Sequence, residues 1–241
     1  MDLNNIKKPL QVIFLLVMTL YLCHENIQSM RANTWYFNAY NIVQDMQDMQ
    51  DMQDMQDSIA LEKAKLASER AVTIEPTHPH YLHFAAYIDL LLLNNINDPT
   101  KKMLLLDSAS SLLLRSLSHR EAWAETWVLL ASVTIIKEGA SDEVYDYLNQ
   151  AYLVAPYNYT VRSESIKIML ANWKLLSPKF KSLYLKDIAF MYKNFFHKFH
   201  NLLYLAKEVD ALPTLCLTLR LDRNYKKFTQ TFKFKKNCNM L

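Results

Sequence analysis

The sequence predicts an all-α protein in which an N-terminal membrane helix is followed by a solenoid of helical hairpins. Three observations carry this. The chain holds one glycine, Gly139, in 241 residues, where average usage of about 7% would supply roughly 17. Its prolines punctuate long stretches with apolar residues at helical spacing, the pattern of rods joined by short turns. An apolar run follows two lysines near the start. The scarcity of glycine excludes phosphate-cradling loops and hairpin-rich β folds, which depend on that residue.

Residues 1–29 read as a signal anchor. Lys7 and Lys8 precede the run Pro9 to Cys23, and counting from Ile6 with the lysines snorkelling gives 18 residues. A span needs about 20 residues for a hydrocarbon core of about 30 Å. No small-x-small cleavage site precedes a clean boundary, so an uncleaved anchor is expected rather than a removed signal peptide. The lysines place the N-terminus in the cytoplasm and the remainder outside the inner membrane, which in a Gram-negative cell is the periplasm. Bulky Leu20-Tyr21-Leu22 before Cys23 argues against a lipoprotein signal there.

Residues 30–57 are expected to form a juxtamembrane helix or linker. Gln44 to Asp57 reads QDM four times and ends in QD. Thioethers suit Cu(I), but positions three apart drift by about 60° per step around a helix. Met46, Met49, Met52 and Met55 therefore spiral and make no ligand seam. The block reads as a tolerated low-complexity stalk.

Residues 58–211 are expected to form the helical domain. Ser58 to Ile74 is one rod, ended by Pro76 and Pro79. Tyr81 to Leu93 and Thr100 to Leu117 make a pair around the turn Asn94 to Pro99. Glu121 to Ile136 and Asp142 to Val154 make a second, around Gly139. Thr160 to Leu175 and Pro178 to His200 make a third. Ala71, Ile74 and Pro76 match Leu114, Leu117 and His119, then Ala151, Val154 and Pro156, at spacings of 43 and 37 residues. These lie near the 34 of tetratricopeptide repeats, so the domain is tetratricopeptide-like.

Residues 212–241 read as a basic tail. From Arg220 onward there are seven bases and one acid, +6 in all, which leaves −3 for the rest of a chain of net charge +3. The bases alternate with Tyr225, Phe228, Phe232 and Phe234. Such a segment suits anionic lipid or an acidic polymer, and equally a frayed, solvated end. The body is not basic enough to point to nucleic acid. Cys216 and Cys238 are either a disulfide of an oxidising compartment or two unpaired thiols.

The reactive side chains form no constellation in sequence. His78, His80 and His83 have a spacing that could ligate zinc or nickel, but no acidic or cysteine ligand lies nearby, and a structural turn with exposed histidines is the reading. His197 and His200 are two ligands alone. The serines lie mid-helix, away from any strained turn. Glu121 and Glu125 read as a solvated helix face beside Arg120. No catalytic residue, metal ligand or cofactor is expected. Trp123, Trp127, Tyr157, Tyr159 and Trp173 are the candidate contacts for a partner protein or a glycan, since rings stack on sugar faces and anchor interfaces. The tryptophans are expected to pack between helices, and Tyr157 and Tyr159, after Pro156, to be exposed.

Ala122-Trp123-Ala124-Glu125-Thr126-Trp127 with Leu130-Ala131, Gly139, and Ala151 to Pro156, followed by Val161, Leu170-Ala171-Asn172-Trp173 and Leu175-Leu176-Ser177-Pro178, resemble the VpsP family of bacterial polysaccharide biosynthesis proteins. The string Pro76-Thr77-His78-Pro79-His80-Tyr81-Leu82 adds to the likeness, which spans roughly Ile59 to Ala211. The family tends to have proline near His119 and after Trp123, where this chain departs from it. The resemblance implies a membrane-anchored accessory protein of exopolysaccharide or biofilm-matrix export. It would organise a polymerase, co-polymerase or export partner by protein–protein interaction, without catalysis. Two alternatives stand beside it. One is a polysaccharide-trimming enzyme on an α/α scaffold, which needs two of Glu121, Glu125, Asp142 and Glu164 facing each other in a cleft. The other is a periplasmic assembly chaperone gripping peptides.

Overall fold

The computed structural model describes residues 3–48 and 54–238, and every regular element among them is helical. The chain divides into two compact units, Met1–His119 and Arg120–Leu241.

The first unit contains α1 (Leu3–Asp48), α2 (Asp54–Ile74), α3 (Pro79–Leu92) and α4 (Pro99–His119). Helix α1 is 46 residues long, about 69 Å at 1.5 Å per residue. It contains the one helical stretch among the described residues that is long and apolar enough to cross a membrane. Its early apolar residues, such as Phe14, Leu16 and Leu20, are exposed. From Ala32 onward the same helix buries a stripe. Ala32, Ala39 and Val43, with Trp35, Tyr36, Ile42 and Met46 alongside, pack against Leu61, Ala64, Ala67 and Ala71 of α2 and against Tyr81, Ile88 and Leu92 of α3. Ala32 and Ala39 have no exposed surface, because their small side chains let the neighbouring rods approach closely.

Residues 30–48 are helical, the first of the two expected forms, and from Ala32 they go beyond a juxtamembrane connection to make the first rod of the first hairpin, with α2 as its partner. The sequence concealed this because only alanines and scattered rings mark the buried stripe. The QDM block is divided between the end of α1 and the start of α2. Gln44 and Asp45 are exposed on the end of α1, as an exposed juxtamembrane helix would have them, while Met46 is half-buried; Met49 and Met52 lie outside the described residues.

The second unit contains α5 (Ala124–Glu138), α6 (Asp142–Val154), α7 (Tyr159–Ala171), α8 (Pro178–Asn194), α9 (Asn201–Glu208), α10 (Leu212–Leu221), α11 (Lys226–Thr229) and α12 (Phe232–Asn237). Gly139 ends α5 at φ +84°, its N–H bonded to the Ile135 carbonyl at 3.0 Å. Ser141 caps α6 by accepting from the Val144 N–H, as N-cap serines do. Two expected helices are shorter than the periodicity suggested. Helix α7 stops at Ala171, where the Asn172 side chain bonds the Ile168 carbonyl and a 3-10 turn follows at Trp173–Leu175. Helix α8 stops at Asn194, before a second 3-10 turn and α9.

The expected basic tail is folded. Phe234 is fully buried, and Tyr225 and Phe228 nearly so, in one core with Phe199, Leu215 and Leu219. A Cys216–Cys238 disulfide closes the segment, and Arg220 donates to the Cys238 carbonyl at 2.7 Å. Alternation of bases with aromatics is the pattern of short amphipathic helices, which bury the rings and leave the ammonium groups in water.

The turns between hairpins follow one plan. The central residues are Pro76-Thr77, Glu121-Ala122 and Pro156-Tyr157, so the spacings are 45 and 35 rather than 43 and 37. The middle repeat starts two residues later than the sequence match to His119 implied, because no proline marks it. In each turn the first of these carbonyls receives a side-chain donor. Pro76 accepts from Arg115 at 2.8 Å, Glu121 from the Trp127 indole at 2.9 Å, and Pro156 from Arg162 at 3.5 Å. Trp127 and Arg162 each stand four residues after the N-cap, one helical turn up, where a long side chain reaches back over the turn. Leu82, at the same place in α3, carries no donor, and α4 supplies Arg115 instead.

Candidate functional site

The ring face grows from the α6–α7 turn. Pro156 ends the chain's approach, and the Asn158 side chain caps α7 by accepting from the Val161 N–H at 3.2 Å. This leaves Tyr157 at the tip, 72% exposed. Tyr157 meets Phe190 of α8 at 5.6 Å between ring centroids, Phe190 meets Phe195 at 6.1 Å, and Phe195 meets Tyr159 at 5.5 Å. Cations lie over two of these rings, Arg162 over Phe190 at 4.6 Å and Lys198 over Tyr159 at 5.0 Å. Rings in this arrangement attract cations through their quadrupoles. Next to Phe195 in sequence, Phe196 is 42% exposed and carries Lys227 at 5.4 Å.

Arg162 also reaches below this face. Its guanidinium bonds Asp187 at 2.5 Å and covers the Tyr152 ring at 3.7 Å, while the Tyr152 hydroxyl donates to the same Asp187 carboxylate. Asp187 has no exposed surface. Burial pushes its carboxyl up to about 6, against the pull of Tyr152 and Arg162. Burial, then the Asp187 charge, raises the Tyr152 phenol well above its usual range. The group can take up a proton near pH 6, and it fastens α6, α7 and α8 beneath the rings. Asp187 and Arg162 escaped the sequence reading, as did Phe190, Phe195 and Lys198, because each meets its partners across 25 or more residues, or lies on a helix that looks solvated.

The five expected contacts do not form one surface. Tyr157 and Tyr159 belong to the face just described, with Tyr157 exposed as expected and Tyr159 half-buried against the core. Trp127 packs on Tyr147 at 5.7 Å and Trp173 on buried Tyr184 at 5.1 Å, so both serve packing. Trp123 is the half-buried N-cap residue of α5, with Arg120 over its ring at 5.0 Å.

The carboxylates weighed for catalysis each have their own surroundings. Glu125 accepts from Asn158 at 2.7 Å, Asp142 pairs with Lys179 at 2.5 Å, and burial raises Glu164. Glu121 is exposed and contributes its backbone carbonyl. The expected turn of exposed histidines holds for His80 alone. His78 is half-buried and stacks on Tyr81 at 3.9 Å. His83 is half-buried too, and burial with the neighbouring His80 charge lowers it to about 4. Among the described residues no group of three or more His, Cys, Asp or Glu is placed to hold a metal ion.

Charge is uneven across the second unit. Residues 174–241 carry fourteen Lys and Arg against four Asp and Glu, a net +10, whereas residues 120–173 carry four against seven, a net −3. No family model matches this chain, and no curated protein matches it.

Proposed function

We propose that the chain is a membrane-anchored scaffold for exopolysaccharide assembly or export, non-enzymatic and held by α1 in the inner membrane with both units in the periplasm. One observation carries the reading. Helix α1 runs without a break from an exposed apolar stretch into the packed core of the first unit, so whatever holds its start also holds the domain. The Cys216–Cys238 disulfide supports an oxidising compartment outside the cytoplasm. Hairpin units joined by repeated turns support a binding role, since stacked helical pairs present surfaces. The resemblance of Trp123 to Pro156 supplies the polysaccharide context and the partner class, a polymerase, co-polymerase or export protein. The ring face at Tyr157, Phe190 and Phe195 is the docking surface.

The test is deletion followed by complementation. Loss of matrix polymer on deletion, rescued by the full chain and not by one starting at Arg31, is the expected result. Rescue by the unanchored chain would sink the scaffold reading, and so would turnover of polymer by the purified protein.

A further inference from the structure

Helix α1 has a second apolar stripe that its own unit does not use. The buried stripe is centred on Ala32, Ala39 and Met46, seven residues apart, all packed toward α2 and α3. The opposite face carries Ile13, Leu16, Leu20, Cys23, Ile27, Met30, Thr34 and Phe37, alternating three and four residues apart. This is the a/d seam of a heptad sustained over more than three repeats. In the first half any stripe would be apolar, so the second half decides. Between His24 and Tyr40 the exposed large apolar residues are Ile27 (56%), Met30 (71%), Phe37 (49%) and Tyr40 (39%), and the three most exposed fall on the seam. The one polar residue there, Thr34, bonds its hydroxyl to the Met30 carbonyl at 2.9 Å, so it brings no unpaired donor to a contact.

We infer that this seam pairs with the same seam of a second copy, making a parallel homodimer whose helices meet from the membrane segment to Phe37. The inference rests on the anchor reading of α1. Two copies inserted with Lys7 and Lys8 on the same side of the bilayer are parallel and in register, so every a or d residue faces its own counterpart. A seam that continues past the apolar segment into water needs an occupant there, since lipid covers only the first part. A second copy supplies an identical stripe at the same height. Cys23 stands at a d position at the edge of the apolar run, exposed and outside the Cys216–Cys238 bond. It is a built-in reporter of the contact.

The experiment is oxidative cross-linking of the full chain in isolated membranes with copper(II)-phenanthroline. The added oxidant takes two electrons and two protons from a pair of thiols to form one disulfide. Single cysteines are compared at Cys23 and, in a Cys23→Ser chain, at Ile27→Cys and Met30→Cys on the seam and at Glu25→Cys and Ser29→Cys off it. The expected result is a band of twice the chain mass for the three seam positions and none for the two others. Met30→Glu is expected to reduce the Cys23 band to background while the chain stays in the membrane pellet. Equal bands at all five positions, no band at any, or a band of another mass would overturn the dimer, with the chain still in the pellet. Recovery of the chain in the soluble fraction would overturn the anchor as well.

Discussion

Each unit ties three helices together through one fully buried aspartate, and the two solutions differ. In the first unit Asp89 of α3 takes Lys65 of α2 and the Ser108 hydroxyl of α4. In the second, Asp187 of α8 takes Arg162 of α7 and the Tyr152 hydroxyl of α6. Lys65 is a point charge that also reaches Glu69 at 3.1 Å. Arg162 is a planar fork lying on Tyr152 and Phe190 while bonding the turn carbonyl of Pro156. A buried charge must be met by another or left as a large penalty, and either cation does that. Of the two, only Arg162 also lies over rings, and its planar fork can stack on them while bonding the carboxylate. The first unit uses its aspartate to join rods, and the second uses its own to join rods and build the face above them.

The largest expected effect comes from removing these aspartates. Asp187→Ala strands Arg162 among rings, and we expect a loss of about 3–5 kcal/mol confined to the second unit. Asp89→Ala leaves Lys65 its bond to Glu69, and we expect about half that loss in the first unit. Hydrogen exchange of the full chain in detergent resolves the units separately. Equal losses would break the comparison.

The disulfide comes next. Replacing Cys216 and Cys238 by serine opens a 22-residue loop, for an expected cost of about 3 kcal/mol. Faster exchange should appear in α10 to α12 and leave the first unit unchanged.

Acidification should act on the two units through different groups. Asp187 titrates near 6 when folded, above its unfolded value near 4. The native state therefore binds the extra proton between those values, and the second unit gains about 1–3 kcal/mol as pH falls from 7 to 4. His83 is lowered to about 4 from 6.5, so the unfolded state binds the proton first and its contribution is lost on acidification. Asp89, raised by burial, works in the opposite direction within the first unit. His83→Gln should make the first unit more acid-stable, and Asp187→Asn should flatten the profile of the second. Denaturant titrations at pH 4.5 and 7 measure both.

The smallest effect is at a turn. Gly139→Ala meets no atom within 4 Å, but φ +84° with ψ −171° suits glycine alone, and we expect about 1–2 kcal/mol. Substituting Asn95 in the α3–α4 connection, which has no glycine, should cost less, as thermal melts would show.

The rods and their breaks were legible because prolines and glycine mark turns whatever surrounds them. Pro76, Pro156 and Gly139 placed three connections within a residue or two. The middle turn was misplaced by two residues because Glu121 carries no such mark. The role of residues 30–48 was hidden, since Ala32, Ala39 and Val43 form a stripe only once α2 is known to return along it. The C-terminal segment was misread for a related reason. Lysines dominate its composition, and burial of Phe228 and Phe234 depends on Phe199 about thirty residues earlier. Asp89 and Asp187 look like any solvated helix residue in sequence, and their partners lie 19 to 35 residues away. Of the candidate face, Tyr157 and Tyr159 were visible from the turn, while the phenylalanines across from them were not.

The most direct test of the account is photo-cross-linking in living cells from position 157, with a photoreactive amino acid replacing exposed Tyr157. The account predicts one dominant adduct from position 157, with a membrane protein of polysaccharide assembly, and loss of that adduct when Phe190 and Phe195 are changed to alanine. A spread of unrelated periplasmic clients at position 157, or no adduct while the chain complements its deletion, would contradict it.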